Sequence, residues 1–145
     1  MKNSGFSLVE LITTLIIVGI LAAIAAPRFF DRQTFEGRGF FDQTLAITRY
    51  AQKSAIALRR NVCVNIAPPS INLTYASAAG SGAACDTPLP SPFGESSFTV
   101  TAPSGVTLSP STTVTFTALG SVGATTTITV SSRTITVEGG TGYVH

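Results

Sequence analysis

The sequence is short of charge, and it has no tryptophan, one histidine and one methionine. Charged residues make up 11% of the chain, against roughly 25% in an ordinary soluble domain. The one histidine, His145, is the final residue. With no histidine elsewhere, no phosphate-binding glycine loop, no nucleophile elbow and no metal-spaced Cys/His cluster, nothing in the chain assembles a catalytic set. No enzyme, no cofactor and no metal site is expected. The 145 residues allow one domain with a modest core.

The few charges are unevenly placed. Residues 61–145 carry only Asp86, Glu95, Arg133 and Glu138, a net −2. Residues 1–60 carry Lys2, Lys53 and six arginines against Glu10, Asp31, Glu36 and Asp42, a net +4. The basic balance, and the pI near 8.8, therefore belong to the front of the chain, beside its apolar run. They are weak grounds for nucleic-acid binding by the back half. Arg28 and Arg32 fit lipid headgroups or a neighbour's acidic groups. Arg59 and Arg60 fit the negative end of a helix.

Residues 6–26, FSLVELITTLIIVGILAAIAA, form the one long apolar stretch. As a helix it measures about 31 Å, close to the roughly 30 Å of a bilayer's hydrocarbon. Lys2 and the amino terminus put positive charge upstream, which keeps that side cytoplasmic and sends the remainder outward. Ala23-Ile24-Ala25 matches a small-x-small cleavage pattern, so a secretory signal competes with a membrane anchor. Glu10 argues against both, because a carboxylate in an apolar helix costs roughly 2–3 kcal/mol. Neither a discarded signal nor a plain anchor needs it. Cleavage after Gly5 would create an amine on Phe6, and such an amine would neutralise Glu10 between neighbouring subunits. Buried in an apolar bundle, that pair acts as a register device more than as a source of stability.

The stretch Gly5-Phe6-Ser7-Leu8-Val9-Glu10-Leu11 resembles the class III signal of type IV pilins and type II secretion pseudopilins. The resemblance covers the first 25–30 residues. It implies that a prepilin peptidase cleaves between Gly5 and Phe6 and N-methylates Phe6, and that Glu10 serves assembly and registration. It also implies that the helix between Gly19 and Pro27 is flexible and can unwind in a filament. The expected partners are other pilin or pseudopilin subunits, the prepilin peptidase, an inner-membrane assembly platform and the membrane itself; nucleic acid is not expected. The implied location is the bacterial inner membrane, single-pass with the back domain in the periplasm, and then a pilus or pseudopilus.

Downstream, residues 28–60 predict a second helical half. Phe41, Leu45, Thr48, Ala51, Ala55 and Leu58 recur at spacings of four and three, as on one face of an amphipathic helix. Gly37 and Gly39 predict a kink, break or joint. From Val62 the period becomes two: Val62, Val64 and Ile66; Phe98, Val100 and Ala102; Val114, Phe116 and Ala118; Ile128 and Val130; Ile135 and Val137. Hydroxyl residues fill most positions between them, which predicts antiparallel sheet with one buried face. Thr125–Glu138 reads as a hairpin turning at Ser131-Ser132, and residues 76–96 as low-complexity loop. The threonines need only β-propensity to explain them.

Cys63 and Cys85 are an even pair in a chain with an export-type front. They argue for a disulfide tying the loop to the first strand, the alternative being two partly buried thiols. Closing a loop of that length contributes about 3 kcal/mol.

The expected architecture is α+β: a leader (1–5), a transmembrane and filament-core helix (6–27), an amphipathic helix (28–60), and an antiparallel β head (61–145) on which the helix packs. Residues 47–56 (ITRYAQKSAI) and 61–64 (NVCV) resemble the minor pseudopilin H and FimT-like group. Residues 135–145 (ITVEGGTGYVH) resemble the end of minor pilins of the mannose-sensitive haemagglutinin (MSHA) system. These imply a minor pilus subunit acting in filament initiation, with a type II secretion pseudopilin as the alternative. A FimT-like DNA receptor fits less well, since it expects a basic Gly-Arg-x-Arg motif and the back domain has only Arg133.

Overall fold

The computed structural model describes residues 7–145, with side chains described for 7–24 and 33–145. The chain divides into two compact units, Met1–Phe35 and Glu36–His145. One helix, α1 (Leu8–Leu58), is followed by eight strands: β1 (Val62–Ala67), β2 (Ser70–Ala76), β3 (Cys85–Pro88), β4 (Thr99–Thr101), β5 (Leu108–Ser109), β6 (Thr112–Phe116), β7 (Thr126–Val130) and β8 (Arg133–Val137). The fold is α+β and pilin-like, a long N-terminal helix packed on antiparallel sheet. One sheet runs β3-β2-β1-β6, with β4 also pairing β2; the other runs β5-β7-β8. Every pairing is antiparallel.

The period-two pattern sets the core. Val62, Val64 and Ile66 of β1 lie opposite Tyr75, Leu73 and Ile71 of β2 and join Val114 and Phe116 of β6 on the buried face. Ile128, Val130, Ile135 and Val137 supply the second sheet's share. Each such side chain, fully buried, contributes roughly 1.5–3 kcal/mol. The hairpin turns at Ser131-Ser132, with Val130 opposite Arg133 and Ser131 at a φ of 53°.

The helix buries most of the expected face, turned toward Phe40, Thr44 and Ile47. Phe40, Thr44, Ile47, Thr48, Ala51 and Ala55 are buried, whereas Phe41 and Leu45 are only partly so and Leu58 is exposed. Thr44 displaces Leu45 because its polarity is cancelled locally. Its hydroxyl donates to the Phe40 carbonyl at 2.8 Å, and the Thr48 hydroxyl does the same to Thr44. A threonine bonded back onto its own helix buries a methyl group and leaves no unpaired hydroxyl.

Two further expectations are corrected. The helix does not break at Gly37 or Gly39. Gly37 is buried, and a Cβ there would meet Ser131 Oγ at 3.5 Å, so this glycine lies under the hairpin turn. Residues 76–96 are not all loop. β3 pairs with β2 through Thr74, Tyr75 and Ala76, with a bulge at the last two. Its sequence, Cys-Asp-Thr-Pro, shows no apolar alternation, and the proline is tolerated because the strand is an edge.

α1 ends in a Schellman arrangement. The Arg60 N–H donates to Ala55 O at 3.2 Å and the Arg59 N–H to Ile56 O at 3.3 Å, with Arg59 itself left-handed at φ 53°. The orphan carbonyls of the last turn are thereby satisfied.

Candidate assembly surface

The front of α1 begins at a capped turn. The Glu10 N–H donates to the Ser7 carbonyl at 3.1 Å and to Ser7 Oγ at 3.2 Å. Ser7 is thus an N-cap, with an acidic residue three positions on, and the carboxylate also suits the positive end of the helix. Every described side chain from Ser7 to Ile24 is exposed, Leu8 at 74%. Leu11, Ile12, Leu15, Ile16, Ile17, Val18, Ile20 and Leu21 leave no polar stripe. A helix apolar all round is one that other molecules cover, whether lipid or protein.

Among the described residues no helix is long and apolar enough to cross a membrane. The expected span, 6–26, begins at Phe6, outside the described residues, and ends at Ala25 and Ala26, whose side chains are not described. Gly5 and Phe6 lie outside the described residues, as does the side chain of Pro27. Gly19 lies within the helix with open space around it.

The head has its own ties. Cys63 and Cys85 are joined by a disulfide, with Cα atoms 6.1 Å apart. Around it, three side chains to which the sequence analysis gave no such role fix the 77–86 segment. Asn61 donates to the carbonyls of Ser81 and Ala83 at 3.0 and 3.1 Å. The Arg60 guanidinium donates to the carbonyl of Ser77. Asp86 accepts from the Ser77 hydroxyl at 2.6 Å, the Ser77 N–H at 2.9 Å and the Thr87 hydroxyl at 2.9 Å. The Ser77 hydroxyl above all, then its N–H and Thr87, hold the Asp86 carboxyl down at about 2, from an ordinary 3.8. Polar residues that bond to distant backbone carry no periodicity, so sequence pattern does not find them.

The C-terminal segment is clamped to α1 in the same manner. Gln52 donates to Gly120 O at 3.1 Å and to Thr141 O at 3.3 Å. His145 exchanges backbone hydrogen bonds with Thr136, and its ring lies 3.1 Å from Glu138 Oε1 while stacking on Tyr143. Among the described residues no group of acidic, histidine or cysteine side chains is arranged to hold a metal.

An exposed apolar helix entered through a capped acidic turn and joined to a disulfide-tied antiparallel head is the architecture of a pilin-like subunit. Comparison with known proteins agrees. Residues 1–26 match the family model described as the Prokaryotic N-terminal methylation motif, so the chain carries a type IV pilin methylation signal. It is 37% identical over 62 residues to the Type IV narrow pilus major component PilA5 of Thermus thermophilus, a distant homologue. That alignment covers 43% of this chain and 53% of the relative, so the chain spans about half the length of the curated relative it matches. No solved structure matches.

Proposed function

We propose that this chain is a type IV pilin-class filament subunit, held in the inner membrane by its apolar helix with its head in the periplasm until assembly. The observation that carries this reading is the front of α1: apolar on all sides, exposed, and interrupted by the single carboxylate of Glu10. Lipid covers such a surface before assembly and the helices of other subunits cover it afterwards. In this reading a prepilin peptidase cuts between Gly5 and Phe6 and methylates Phe6. The Phe6 amine of one subunit then meets Glu10 of another and sets their register. Gly19 and Pro27 lower helix propensity at either end of the stretch that would yield on assembly.

The finer assignment is a minor subunit of an MSHA-type pilus, active in initiation and hence in attachment or motility. Its support is the short resemblance at 135–145. The resemblance at 47–64 favours a type II secretion pseudopilin instead, and the name of the Thermus relative describes a major component of its own pilus. The DNA-receptor reading shares the 47–64 resemblance but fits less well, since Arg133 is the one basic residue after Arg60 apart from His145.

A deletion strain scored side by side for pili, exoprotein secretion and transformation tests these assignments. Loss of pili alone is the expected outcome, restored by the wild-type chain and not by Glu10→Ala. Loss of secretion with pili intact would move the chain to the secretion machine.

A further inference from the structure

The fold places the two sulfurs of the Cys63–Cys85 disulfide unequally. Cys63 lies in β1, inside the sheet, with Thr74 of β2 opposite it on one side and Thr115 of β6 on the other. It is 7% exposed. Cys85 opens β3, an edge strand that pairs with β2 alone. It is half-buried, between the exposed residues Ala84 and Asp86. The stretch that leads toward it, residues 77–82, is exposed throughout.

Thiol–disulfide exchange turns this asymmetry into a choice of sulfur. An incoming thiolate attacks one sulfur in line with the S–S bond, from the side opposite the sulfur that leaves, and its rate depends on access. Attack on Cys63 has to come from the side of β1 away from Cys85. The strand order is β3-β2-β1-β6, so that side belongs to β6. There the Thr115 hydroxyl already lies 3.5 Å from Cys63 Sγ. Attack on Cys85 comes from the sheet edge, past residues that solvent reaches. The ties that deliver Cys85 to this place do not include the bond itself. Asn61 holds the carbonyls of Ser81 and Ala83, Asp86 accepts from the N–H and hydroxyl of Ser77, and Thr87 pairs with Tyr75.

We propose that Cys85 is the residue that forms a mixed disulfide with a thiol oxidoreductase, and that Cys63 is the resolving residue. This requires only the disulfide and not the filament reading. In oxidation the Cys85 thiolate attacks the partner's disulfide. One partner sulfur joins Cys85 and the other leaves as a thiolate. The Cys63 thiolate then attacks Cys85 Sγ, closes the native bond and expels the second partner sulfur. Two electrons pass to the partner, and the two protons lost by the cysteine thiols go to its two released thiolates. Reduction retraces the same path, with the attacking thiolate joining Cys85 and Cys63 leaving. The reaction that supplies the finished head is thus a two-electron thiol oxidation by a disulfide carried on another molecule, which meets the chain at the exposed stretch around Cys85.

The test uses the full-length wild-type chain in detergent micelles, with its disulfide intact and glutathione as the probe. Reduced glutathione is added, free thiols are trapped with N-ethylmaleimide, and peptides are mapped by mass. Glutathione should be found on Cys85 with maleimide on Cys63, and the reverse species should be about tenfold rarer. Equal amounts of the two, or an excess on Cys63, would overturn the proposal. In denaturing urea the preference should vanish; a preference that persists there would overturn the fold as its cause. Single-cysteine variants give a second readout with oxidised glutathione. Cys63→Ser should acquire glutathione on Cys85 about tenfold faster than Cys85→Ser acquires it on Cys63, and a faster reaction at Cys63 would refute the assignment. Thr115→Ala should raise the share of glutathione on Cys63; an unchanged share would overturn the role given to Thr115.

Discussion

The guanidinium of Arg49 holds the carbonyl of Val144 across 95 positions of sequence, through Nε at 3.2 Å and Nη2 at 3.0 Å. One side chain on the helix thereby fixes the last strand-like stretch of the head, where Val144 is buried and bridges to Val137. Hydrogen bonds from a charged donor contribute roughly 1.5–3 kcal/mol, less where solvent reaches them, as here. Arg49→Ala should lower unfolding free energy by about 1–2 kcal/mol in a denaturant titration. Arg49→Lys should recover only part of that, since an ammonium lacks the two-pronged geometry.

Gly142 and Gly37 should respond oppositely to alanine. At Gly142 the backbone is left-handed at φ 67°, and an added Cβ would overlap the carbonyl oxygen of Gly120 and approach Gln52 Nε2 at 3.0 Å. Gly142→Ala should therefore cost more than about 2 kcal/mol by strain and steric displacement together. At Gly37 the new methyl would touch Ser131 Oγ at 3.5 Å, an ordinary contact, in a helix where alanine is favoured by about 1 kcal/mol. Gly37→Ala should leave stability unchanged or raise it, and thermal melts of the two variants decide the point.

Arg59 occupies the left-handed position that closes α1, at φ 53°, where glycine is the ordinary occupant. An L-residue there bears roughly 1–2 kcal/mol of strain. Arg59→Gly should raise stability by about 1 kcal/mol, the lost charge at the helix end offsetting part of the gain. A fall in the denaturation midpoint would mean that the arginine side chain contributes more than its backbone costs.

Acid should loosen the 77–86 segment. The Asp86 carboxyl is held at about 2 in the folded chain against an ordinary 3.8. Between those values the unfolded chain binds the extra proton, so stability rises with pH across the window. The Asp86 contribution is complete above about pH 4 and is lost as pH falls toward 2. Asp86→Asn should flatten this part of the stability-pH curve, measured by urea titration at a series of pH values. A wild-type curve already flat there would remove Asp86 from the account.

What the sequence made legible is what periodicity and composition carry. The alternation at Val62, Val64 and Ile66, the hairpin at Ser131-Ser132, and the even cysteine pair all stand in the structure. β2 escaped because its buried residues, Ile71, Leu73 and the small Ala76, do not alternate throughout and lie between Pro69 and a low-complexity stretch. β3 escaped because an edge strand needs backbone pairing and no apolar pattern. The helix face was misjudged at Thr44 because hydropathy prices the hydroxyl as if it faced water, while the fold bonds it to Phe40 O. The residues proposed for assembly at the front were legible for the opposite reason. Glu10 stands out because a carboxylate interrupts an otherwise apolar run, although its place three residues after Ser7 also suits the start of the helix.

The central claim is that this chain is a processed filament subunit. Mass spectrometry of the chain from sheared, purified filaments tests it most directly. The account predicts a chain that begins at N-methylated Phe6, lacks Met1 through Gly5, and still carries the Cys63–Cys85 disulfide. A chain found only in the membrane fraction and beginning at Met1, with filaments present and lacking it, would contradict the claim.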